Sequence, residues 1–437
     1  MGSTRGAALP ALEELLDDWR AGWIPPFEGI RLVGHRWSAR AHEIKDYLAR
    51  NQVPYRWVDV ETDPEAARLV ASSGIDPGRD PLLVFPDGSH LRAPTNVQIA
   101  EKVGLRTRAA LPFYDLVIIG GGPAGLAAAV YGASEGLRTL LLEREAPGGQ
   151  AGTTSRIENY LGFPAGLTGA DLARRAVAQA TRLGAEILTP QEVQRIRRED
   201  PYCFVTLGDG SELSCQALIL AMGVQYRRLD APGVDALIGL GVFYGAAITE
   251  ALAFRDRDVA VVGGGNSAGQ AAVYLAGFAR HVTLVVRGGR REGSMSQYLV
   301  DQIAARPTIQ VRLNANVAAV RRTDELEAIT IADAAGTSDV PMQALFLFVG
   351  ALPRTDRLDG VVERDGAGFI VTGPALSRVD GRVPGWPLAR EPFLLETNVS
   401  GIFAAGDVRA RSVKRIASGV GEGAMAVQFV HQHLAGL

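Results

Sequence analysis

The residues with the clearest chemistry form a glycine-rich turn of the kind that binds dinucleotide phosphates. The turn reads Gly120-Gly121-Gly122-Pro123-Ala124-Gly125 and follows the apolar stretch 116–119. In a G-x-G-x-x-G pattern the first glycine permits a sharp turn, the second lets the backbone approach a pyrophosphate, and the third lets helix and strand pack closely. The helix that follows offers free N–H groups and a partial positive charge to the phosphates. The pattern therefore predicts a dinucleotide site, although glycine turns without a ligand are also common.

An acid stands where such a site needs one for a ribose. The predicted strand 139–142 ends in Glu143, which lies about 20 residues beyond Gly120, as the dinucleotide pattern requires. A carboxylate at this point accepts hydrogen bonds from ribose hydroxyls. Together with the preceding strand and the following helix, Glu143 favours a nucleotide site over a plain structural turn.

A second glycine-rich turn repeats this design further along the chain. Strand 259–262 leads into Gly263-Gly264-Gly265-Asn266-Ser267-Ala268, which has alanine in the last position. The next predicted strand, 282–286, ends at Arg287 rather than at an acid, and Arg291 follows in a glycine-rich loop. An acid would repel an adenosine 2′-phosphate, whereas a guanidinium attracts it. We therefore predict NADPH rather than NADH here, with solvated loop arginines as the lesser alternative.

Alternating strands and helices around both turns predict an α/β fold. A smaller set of the same kind precedes them, with strands at 30–34 and 55–60, helices at 40–51, 65–73 and 96–103, and a hairpin near 83–88. The stretch 107–113 is predicted to be a linker. Another predicted hairpin joins 204–207 to 212–217 through Gly208-Asp209-Gly210. A chain of 437 residues exceeds one core and suggests roughly two to four units.

The composition is that of an ordinary soluble protein with little charge imbalance. Hydrophobic residues make up 47% and charged residues 21%, and the formal net charge is −3. We predict no nucleic-acid partner because there is no basic field, and no membrane span because no stretch approaches ~20 apolar residues. The N-terminus lacks the features of a signal peptide, and only two cysteines occur, Cys203 and Cys215. We therefore expect a cytoplasmic protein without a metal site. We interpret both thiols as small, partly buried apolar residues, with a functional role as the lesser alternative.

From Tyr114 to the C-terminus the chain resembles the low-molecular-weight thioredoxin reductases. Besides the two glycine-rich turns, the resemblance rests on short motifs: Gly148-Gly149-Gln150, Ile157-Glu158-Asn159-Tyr160, Ala221-Met222-Gly223, Gly406-Asp407 and Gly421-Glu422-Gly423-Ala424. It implies two Rossmann-like domains, one for FAD at residues 114–230 and 348–437 and one for NADPH at 231–347. It also implies a homodimer.

The same resemblance assigns residues to the two cofactors. Glu143 would bind the FAD adenosine ribose, and Gln150 and Asn159 would lie near the flavin. Asp407 would hold the ribityl chain, and the segment Lys414-Arg415-Ile416-Ala417 would pass beside the isoalloxazine ring. The full set of residues expected to bind a cofactor is Gly120, Gly122, Pro123, Ala124, Gly125, Glu143, Gly149, Gln150, Asn159, Ala221, Gly223, Gly263, Gly265, Asn266, Ser267, Ala268, Arg287, Arg291, Gly406, Asp407, Arg415, Ile416 and Ala417.

The chain departs from that family in its redox chemistry. Thioredoxin reductases carry a Cys-x-x-Cys pair just before the second glycine-rich strand, but the corresponding segment here is Tyr244-Gly245-Ala246-Ala247-Ile248-Thr249-Glu250. No thiolate is therefore available there to attack a disulfide. Tyr244 and Glu250 flank the altered segment and are the candidate catalytic residues, although Glu250 could equally lie on a helix surface.

A similar loss marks the N-terminal region, residues 1–106. Its part 30–105 resembles a glutaredoxin-like thioredoxin fold through Val53-Pro54-Tyr55 and the stretch 59–65. Where the redox pair should open the first helix the chain reads Ser38-Ala39-Arg40-Ala41, and Ser38 is better suited to cap that helix than to act as a nucleophile. Pro81 stands where the family keeps a cis-proline, so we predict a cis Asp80–Pro81 bond.

Hydride transfer from NADPH to a flavin does not need the lost cysteines, since the cofactors carry that chemistry. The oxidative half-reaction needs another acceptor, for which the small residues 245–247 leave space. Relatives without the cysteine pair include ferredoxin–NADP reductases of thioredoxin-reductase type, so a ferredoxin-like protein is the leading acceptor. A small organic substrate, a quinone or O₂ remains close behind. A non-catalytic NADPH/flavin redox sensor and a disulfide reductase that uses external thiols are further alternatives.

Few other side chains could act as an acid or base near a flavin. His35 and His42 belong to the N-terminal region, and His431 and His433 belong to the last predicted helix. We interpret each of them as structural or solvent-exposed rather than catalytic.

Overall fold

The fold is given by a computed structural model that describes residues 29–73, 80–154, 157, 160–237, 241–244, 251, 254–289, 295–322 and 326–436. The predicted site residues Asn159, Glu250 and Arg291 lie outside these ranges, together with the rest of the segment 245–250. Of the described helices, none is long and apolar enough to cross a membrane.

The first unit is a four-stranded sheet with helices packed against it. Its elements are β1 Ile30–Gly34, α1 Ala39–Arg50, β2 Tyr55–Asp59, α2 Pro64–Ser73, β3 Leu82–Val84, β4 His90–Arg92 and α3 Asn96–Val103. The strand order is β2-β1-β3-β4, with β1 and β2 parallel and the other neighbours antiparallel. These bounds confirm the predicted strands and helices to within about one residue.

Helix α1 begins where the sequence predicts. The Ser38 hydroxyl accepts a hydrogen bond from the Ala41 N–H at 3.2 Å, which satisfies one of the free amides at the helix start. Ala41, Ile44 and Leu48 recur at helical spacing and are buried in the core of this unit. Ser38 is therefore an N-cap, as predicted.

The peptide bond before Pro81 is trans, so the predicted cis Asp80–Pro81 bond is wrong. The trans form of an X-Pro bond is lower in free energy by about 0.5–1 kcal/mol unless tertiary packing demands the cis form. Here Pro81 leads directly into β3, and its carbonyl accepts the Ala93 N–H at 2.8 Å with the bond in the trans form. Among the described residues, the cis bonds precede Pro190 and Pro201 instead.

A second unit begins at Phe113, so the last residue of the predicted linker 107–113 already belongs to a strand. Its first elements are β5 Phe113–Ile119, α4 Pro123–Ser134, β6 Thr139–Leu142, α5 Gly169–Arg182, β7 Glu186–Leu188, β8 Val193–Glu199, β9 Tyr202–Leu207 and β10 Glu212–Leu220. Strands β5, β6 and β7 are parallel, and β9 and β10 form the predicted antiparallel hairpin. The stretches 116–119 of β5 and 140–142 of β6 are continuously apolar because both faces of the sheet are covered there.

The chain then forms a third unit. Its elements are β11 Val224–Tyr226, β12 Val242–Tyr244, β13 Asp258–Val262, α6 Asn266–Leu275, β14 His281–Val286, α7 Gln297–Ala304, β15 Ile309–Leu313, β16 Asn316–Arg322, β17 Leu326–Asp333, β18 Gly336–Pro341, β19 Ala344–Leu347 and β20 Ala351–Pro353. A parallel sheet has the order β12-β19-β13-β14-β15, and β16, β17 and β18 form an antiparallel meander.

The chain leaves the second unit and returns to it along two paired strands. Strand β11 pairs antiparallel with β20, so the outward and return connections run side by side. After β20 the chain adds β21 Ile402–Ala404 and α8 Ile416–Leu434 to the second unit. There β21 lies parallel to the end of β10, which gives the order β7-β6-β5-β10-β9-β8 with β21 beside β10. The carboxyl ends of β5, β10 and β21 therefore meet at one edge.

Candidate dinucleotide-binding site

The first glycine-rich turn is shaped by close backbone contacts. Gly120 has a φ of +106°, and a Cβ atom on it would lie 2.4 Å from the Ala221 carbonyl oxygen. A Cβ atom on Gly125 would lie 1.8 Å from the Gly120 carbonyl oxygen. No side chain fits at either position. A Cβ atom on Gly122, in contrast, would meet nothing within 4 Å, so the backbone there faces open space of the kind that a pyrophosphate requires.

Helix α4 points its free amides into this space. Pro123 occupies the first helical position, where a missing N–H costs nothing, and no side chain caps the helix. The amides of Ala124 and Gly125 belong to the first turn and have no intrahelical acceptor. Together with the partial positive charge of the helix end, they fit a phosphate group.

Glu143 is held in place by two backbone amides. One carboxylate oxygen accepts the Gly121 N–H at 2.7 Å, and the other accepts the Glu145 N–H at 2.8 Å. Burial raises the pKa of Glu143, while these two hydrogen bonds and the positive charge of Arg50 lower it. The side chain lines the cleft beside the turn, so its remaining lone pairs can accept ribose hydroxyls.

Several predicted FAD residues close the other side of this space. Gly148 N–H donates to the Gly121 carbonyl at 2.6 Å, and the Gln150 side-chain amide donates to the Val224 carbonyl at 2.6 Å. Gly149, Gln150, Ala221 and Gly223 all line the cleft. The loop after β6 is thus tied both to the first turn and to the start of β11.

Asp407 lies at the carboxyl end of β21, where the resemblance predicts it. Burial raises the pKa of its carboxyl group, the charge of Lys414 opposes that rise, and Glu422 adds to it. The preceding Gly406 donates its N–H to the Glu422 carboxylate at 2.7 Å, and Arg409 pairs with the same carboxylate. Glu422 therefore fixes the turn that presents Asp407, a role that the sequence motif alone does not reveal.

The start of helix α8 contributes part of the predicted flavin segment. Arg415 and Ile416 line the cleft, and no side chain caps the helix at Arg415. Ala417 is exposed and does not line the cleft. The structure thus brings two of these three predicted residues to the site.

The second turn repeats the backbone geometry of the first. A Cβ atom on Gly263 would lie 2.6 Å from the Phe348 carbonyl oxygen, and Gly265 precedes the first residue of α6. Asn266 and Ser267 line the cleft, and the Asn266 side chain accepts the Ser296 N–H at 2.7 Å. Ala268 is fully buried against the core, as expected for the packing position of the pattern.

Arg287 stands at the end of β14, as predicted. Arg287 is exposed, and within the described ranges no hydrogen bond or ion pair engages its guanidinium group. It does not line the cleft. In β6 the corresponding position, directly after the strand, is Glu143, so the two units carry opposite charges at equivalent places.

Both turns open into one cleft of about 960 Å³. This volume is within the range of roughly 300–1,000 Å³ that small-molecule and cofactor sites occupy. Tyr244 lines the cleft at the end of β12, and its hydroxyl accepts the Leu229 N–H at 2.8 Å. The cleft also has residues that sequence reasoning missed: Thr153, Thr154, Arg227, Arg228, Gln270, Arg354, and, from helix α1, His42, Asp46 and Arg50.

Of the four histidines considered in the sequence analysis, one lines the cleft. His431 pairs with Glu135 at 2.9 Å, and His433 is buried beside Arg390, both far along α8 from the cleft. His35 pairs with Glu61 at 2.6 Å on the first unit. His42 differs from the other three because it lines the cleft, with its ring 5.2 Å from that of Phe243. The helix of His42 therefore packs against a distant strand, a contact that the sequence does not indicate.

The two cysteines lie outside the cleft. Cys203 and Cys215 are register partners on β9 and β10, and both are fully rather than partly buried. The contact with Cys215 lowers the pKa of Cys203, helped by Arg198, whose guanidinium lies 3.3 Å from the sulfur. Burial raises the pKa of Cys215. Among the described residues, no cluster of three His, Cys, Asp or Glu side chains could hold a metal ion.

Comparison with known proteins gives one consistent family. The sequence pattern of the pyridine nucleotide-disulphide oxidoreductases matches residues 114–423. A thioredoxin reductase from Treponema pallidum is 32% identical over 323 residues, which cover 74% of this chain and 97% of the relative. The "34.2 kDa protein in rubredoxin operon" from Clostridium pasteurianum is 29% identical over 324 residues, which cover 74% of this chain and 97% of that protein.

The similarity extends to three dimensions. The crystal structure of Lactococcus lactis thioredoxin reductase, in its FR conformation, superposes with a TM-score of 0.66 and 29% identity and covers 74% of this chain and 100% of that one. About a quarter of this chain, which includes the first unit, therefore has no counterpart in these relatives. The two glycine-rich units, their shared cleft and these matches lead to one conclusion: the chain belongs to the pyridine nucleotide-disulphide oxidoreductase family and is a flavin-dependent oxidoreductase of the thioredoxin-reductase type.

Proposed function

We propose that the chain binds FAD at the turn 120–125 and NADPH at the turn 263–268, and passes electrons from NADPH through the flavin to an acceptor that is not a disulfide. One observation carries this proposal: both turns border one cleft, and neither of the two cysteines of the chain lines it. Bound FAD supplies a ring that accepts hydride and releases electrons again. The domain boundaries 114–230 with 348–437, 231–347 and 1–106, with the linker 107–113, belong to the same proposal.

The residues of the first turn would hold FAD through hydrogen bonds and charge. The amides at the start of α4 face the space for the pyrophosphate, and Glu143 would accept the ribose hydroxyls. Asp407 would accept the ribityl hydroxyls, with Lys414 nearby to support its ionised form. Gln150 is anchored to the Val224 carbonyl and would flank the flavin; Asn159 is proposed for the same region.

NADPH rather than NADH is proposed for the second turn. The exposed guanidinium of Arg287 at the end of β14 suits an adenosine 2′-phosphate, since a carboxylate at this position would repel it. Arg291 is proposed as a second contact to the same phosphate. Asn266 and Ser267, at the start of α6, would face the pyrophosphate.

A ferredoxin-like redox protein is the leading acceptor. One relative is named for its place in a rubredoxin operon, which supports a small redox protein as the partner. A small organic substrate, a quinone or O₂ is the second candidate, because helix α1 adds the polar side chains His42, Asp46 and Arg50 to the cleft wall. In either case Tyr244 and Glu250 are the residues proposed to act near the acceptor. A homodimer is part of the proposal, and sedimentation equilibrium tests it.

Anaerobic stopped-flow spectroscopy tests the electron path. The FAD-loaded protein is mixed with NADPH or NADH, and loss of flavin absorbance reports the reductive step. The reduced protein is then mixed separately with a ferredoxin, a rubredoxin, a benzoquinone, O₂ and an aromatic disulfide. We expect fast reduction by NADPH and turnover above about 1 s⁻¹ with at least one acceptor that is not a disulfide.

A cysteine-free variant is the matched control. Cys203→Ala/Cys215→Ala should keep the same turnover, because both thiols lie outside the cleft. Fast reduction with no acceptor would instead indicate a redox sensor, and disulfide reduction only with an added thiol partner would indicate the external-thiol alternative. Absence of flavin reduction by either nicotinamide cofactor overturns the proposal.

A further inference from the structure

Helix α1 presents a polar face to the cofactor cleft. His42, Asp46 and Arg50 follow one another at intervals of four residues, which places them on the same side of the helix. All three line the cleft, whereas Ala41, Ile44 and Leu48 on the opposite side are buried in the first unit. The relatives match only the rest of the chain, so this wall of the cleft belongs to the present protein and not to the matched region.

The C-terminal end of α1 is joined to the first glycine-rich turn by a chain of polar contacts. The Arg50 guanidinium lies 3.2 Å from the Glu145 carboxylate, and the Asn51 side-chain amide donates to the Glu145 carbonyl at 3.1 Å. The Glu145 N–H donates to Glu143, whose other oxygen accepts the Gly121 N–H. A continuous path therefore leads from the first unit to the backbone that would face the pyrophosphate.

Arg50 also affects the ionisation of Glu143 beside the first glycine-rich turn. Glu143 and Glu145 bring two carboxylates together beside the turn, and burial raises the pKa of Glu143. The positive charge of Arg50 opposes that rise and favours the ionised carboxylate, the form that only accepts hydrogen bonds. The Arg50 side chain is only 18% exposed, and its Nε atom is buried without a partner among the described residues. A buried donor of this kind calls for an acceptor.

We infer that Arg50 is a positioning residue of the adenosine end of the FAD site, and that FAD binding and docking of the first unit stabilise each other. This inference rests on the proposed function, since it takes FAD as the occupant of the first turn. Coupling between two binding events is reciprocal, so a docked α1 raises the affinity for FAD and bound FAD holds α1 in place. Residues 107–112, the part of the predicted linker 107–113 that precedes β5, should then be cleaved more slowly by a protease when FAD is bound.

The experiment measures FAD affinity and linker cleavage together. Apoprotein is titrated with FAD for the wild type, Arg50→Ala, Arg50→Lys and Glu145→Gln, and each form is digested with trypsin with and without FAD. We expect the dissociation constant of FAD to rise about tenfold in Arg50→Ala and to recover in part in Arg50→Lys. The rise should be smaller in Glu145→Gln, because this change breaks the ion pair with Arg50 but also removes a negative charge that raises the pKa of Glu143. FAD should protect the linker in the wild type but not in Arg50→Ala.

Arg56→Ala is the matched control, because Arg56 lies on β2 of the same unit, is ion-paired with Asp63 and does not line the cleft. It should leave both readouts unchanged, and circular dichroism identifies any variant that fails to fold. If Arg50→Ala and Glu145→Gln bind FAD within about twofold of the wild type, and FAD does not protect the linker, the inference is overturned while the proposed function stands. If the wild type binds no FAD, both fall.

Discussion

At the scale of single residues, the site contains glycines at which an added Cβ atom would affect either ligand binding or the fold. Gly122 and Gly125 illustrate this, since they are three residues apart in one turn but face different neighbours. A Cβ atom on Gly125 would overlap the Gly120 carbonyl oxygen, whereas one on Gly122 would meet nothing within 4 Å. Gly122 is thus required by the proposed ligand, and Gly125 is required by the fold itself.

Alanine variants at these two positions should separate the two requirements. Gly125→Ala forces the backbone of the turn apart and should lower the free energy of unfolding of the apoprotein by about 1–3 kcal/mol or more. Gly122→Ala has an extended backbone that alanine tolerates, so the apoprotein should keep its melting temperature while FAD affinity falls. Thermal unfolding and FAD titration measure both effects. A destabilised Gly122→Ala apoprotein would contradict this division.

Asp407 is expected to lower the stability of the apoprotein at neutral pH while it contributes to FAD binding. Burial raises its pKa, so the folded protein holds this proton more tightly than the unfolded chain does. The stabilising contribution of the group is therefore complete below the unfolded pKa of about 3.9 and is lost as the pH rises through the folded value. At pH 7 the ionised carboxylate destabilises the apoprotein.

Asp407→Asn removes that charge without a large change in shape. The apoprotein variant should melt higher than the wild type at pH 7, by up to about a few degrees, and the difference should shrink as the pH falls towards 4. FAD affinity should decrease, because the amide is a weaker acceptor for the ribityl hydroxyls. Melting curves between pH 4 and pH 8 provide the test. A difference that does not depend on pH would rule out the electrostatic explanation.

At the scale of elements, the two βαβ units use the residue after their second strand in opposite ways. Glu143 follows β6 and Arg287 follows β14, and in each case the strand is the parallel neighbour of the one that leads into the glycine-rich turn. The register of the sheet therefore brings each residue to the carboxyl edge beside its turn. Charge at this position is the element-level feature that distinguishes the two proposed nucleotides.

Arg287→Ala tests that distinction. The KM for NADPH should rise by at least about tenfold, since a charge-assisted hydrogen bond contributes roughly 1.5–3 kcal/mol, while the KM for NADH should change little. Arg280→Ala is the matched control, because Arg280 precedes the other end of the same strand and pairs with Asp258. Steady-state kinetics with both cofactors measure the ratio. Equal effects on the two cofactors would remove Arg287 from the 2′-phosphate site.

The sequence predicts most of these elements because their signals are local. An apolar run, a glycine turn and a following helix lie within about 30 residues, so the sequence alone places β5, α4 and β6 and assigns Ser38 as a cap. The wall formed by α1 could not be predicted, since Arg50 and Glu145 meet through tertiary packing across 95 residues of sequence. The polar spacing of His42, Asp46 and Arg50 was the available signal, but it is also typical of a solvated helix face. The prediction of a cis Asp80–Pro81 bond is wrong because it took a bond geometry from a family whose active-site residues are absent here.

At the scale of the whole molecule, helix α1 touches both dinucleotide-binding units. Its last residue pairs with Glu145 beside the first turn, and His42 near its start packs its ring 5.2 Å from Phe243 on β12. A helix of 12 residues spans about 18 Å, which is enough to reach from one unit to the other. The first unit therefore connects two bodies that are otherwise joined by the paired strands β11 and β20.

His42→Ala should weaken the contact of α1 with β12, while Arg50 at the other end of the helix still pairs with Glu145. Strand β12 is the edge of its parallel sheet, paired only with β19 among the described strands, so its backbone hydrogen bonds open more readily when a side-chain contact is lost. Loss of a ring contact worth about 0.5–1.5 kcal/mol should speed amide hydrogen exchange at Val242 and Phe243 by up to about tenfold. FAD affinity should fall less than in Arg50→Ala, because Arg50 still pairs with Glu145. His35→Ala, a histidine of the same unit that pairs with Glu61, should alter neither measurement. If His42→Ala weakens FAD binding as strongly as Arg50→Ala and leaves exchange at β12 unchanged, then α1 acts on the first turn alone and does not connect the two units.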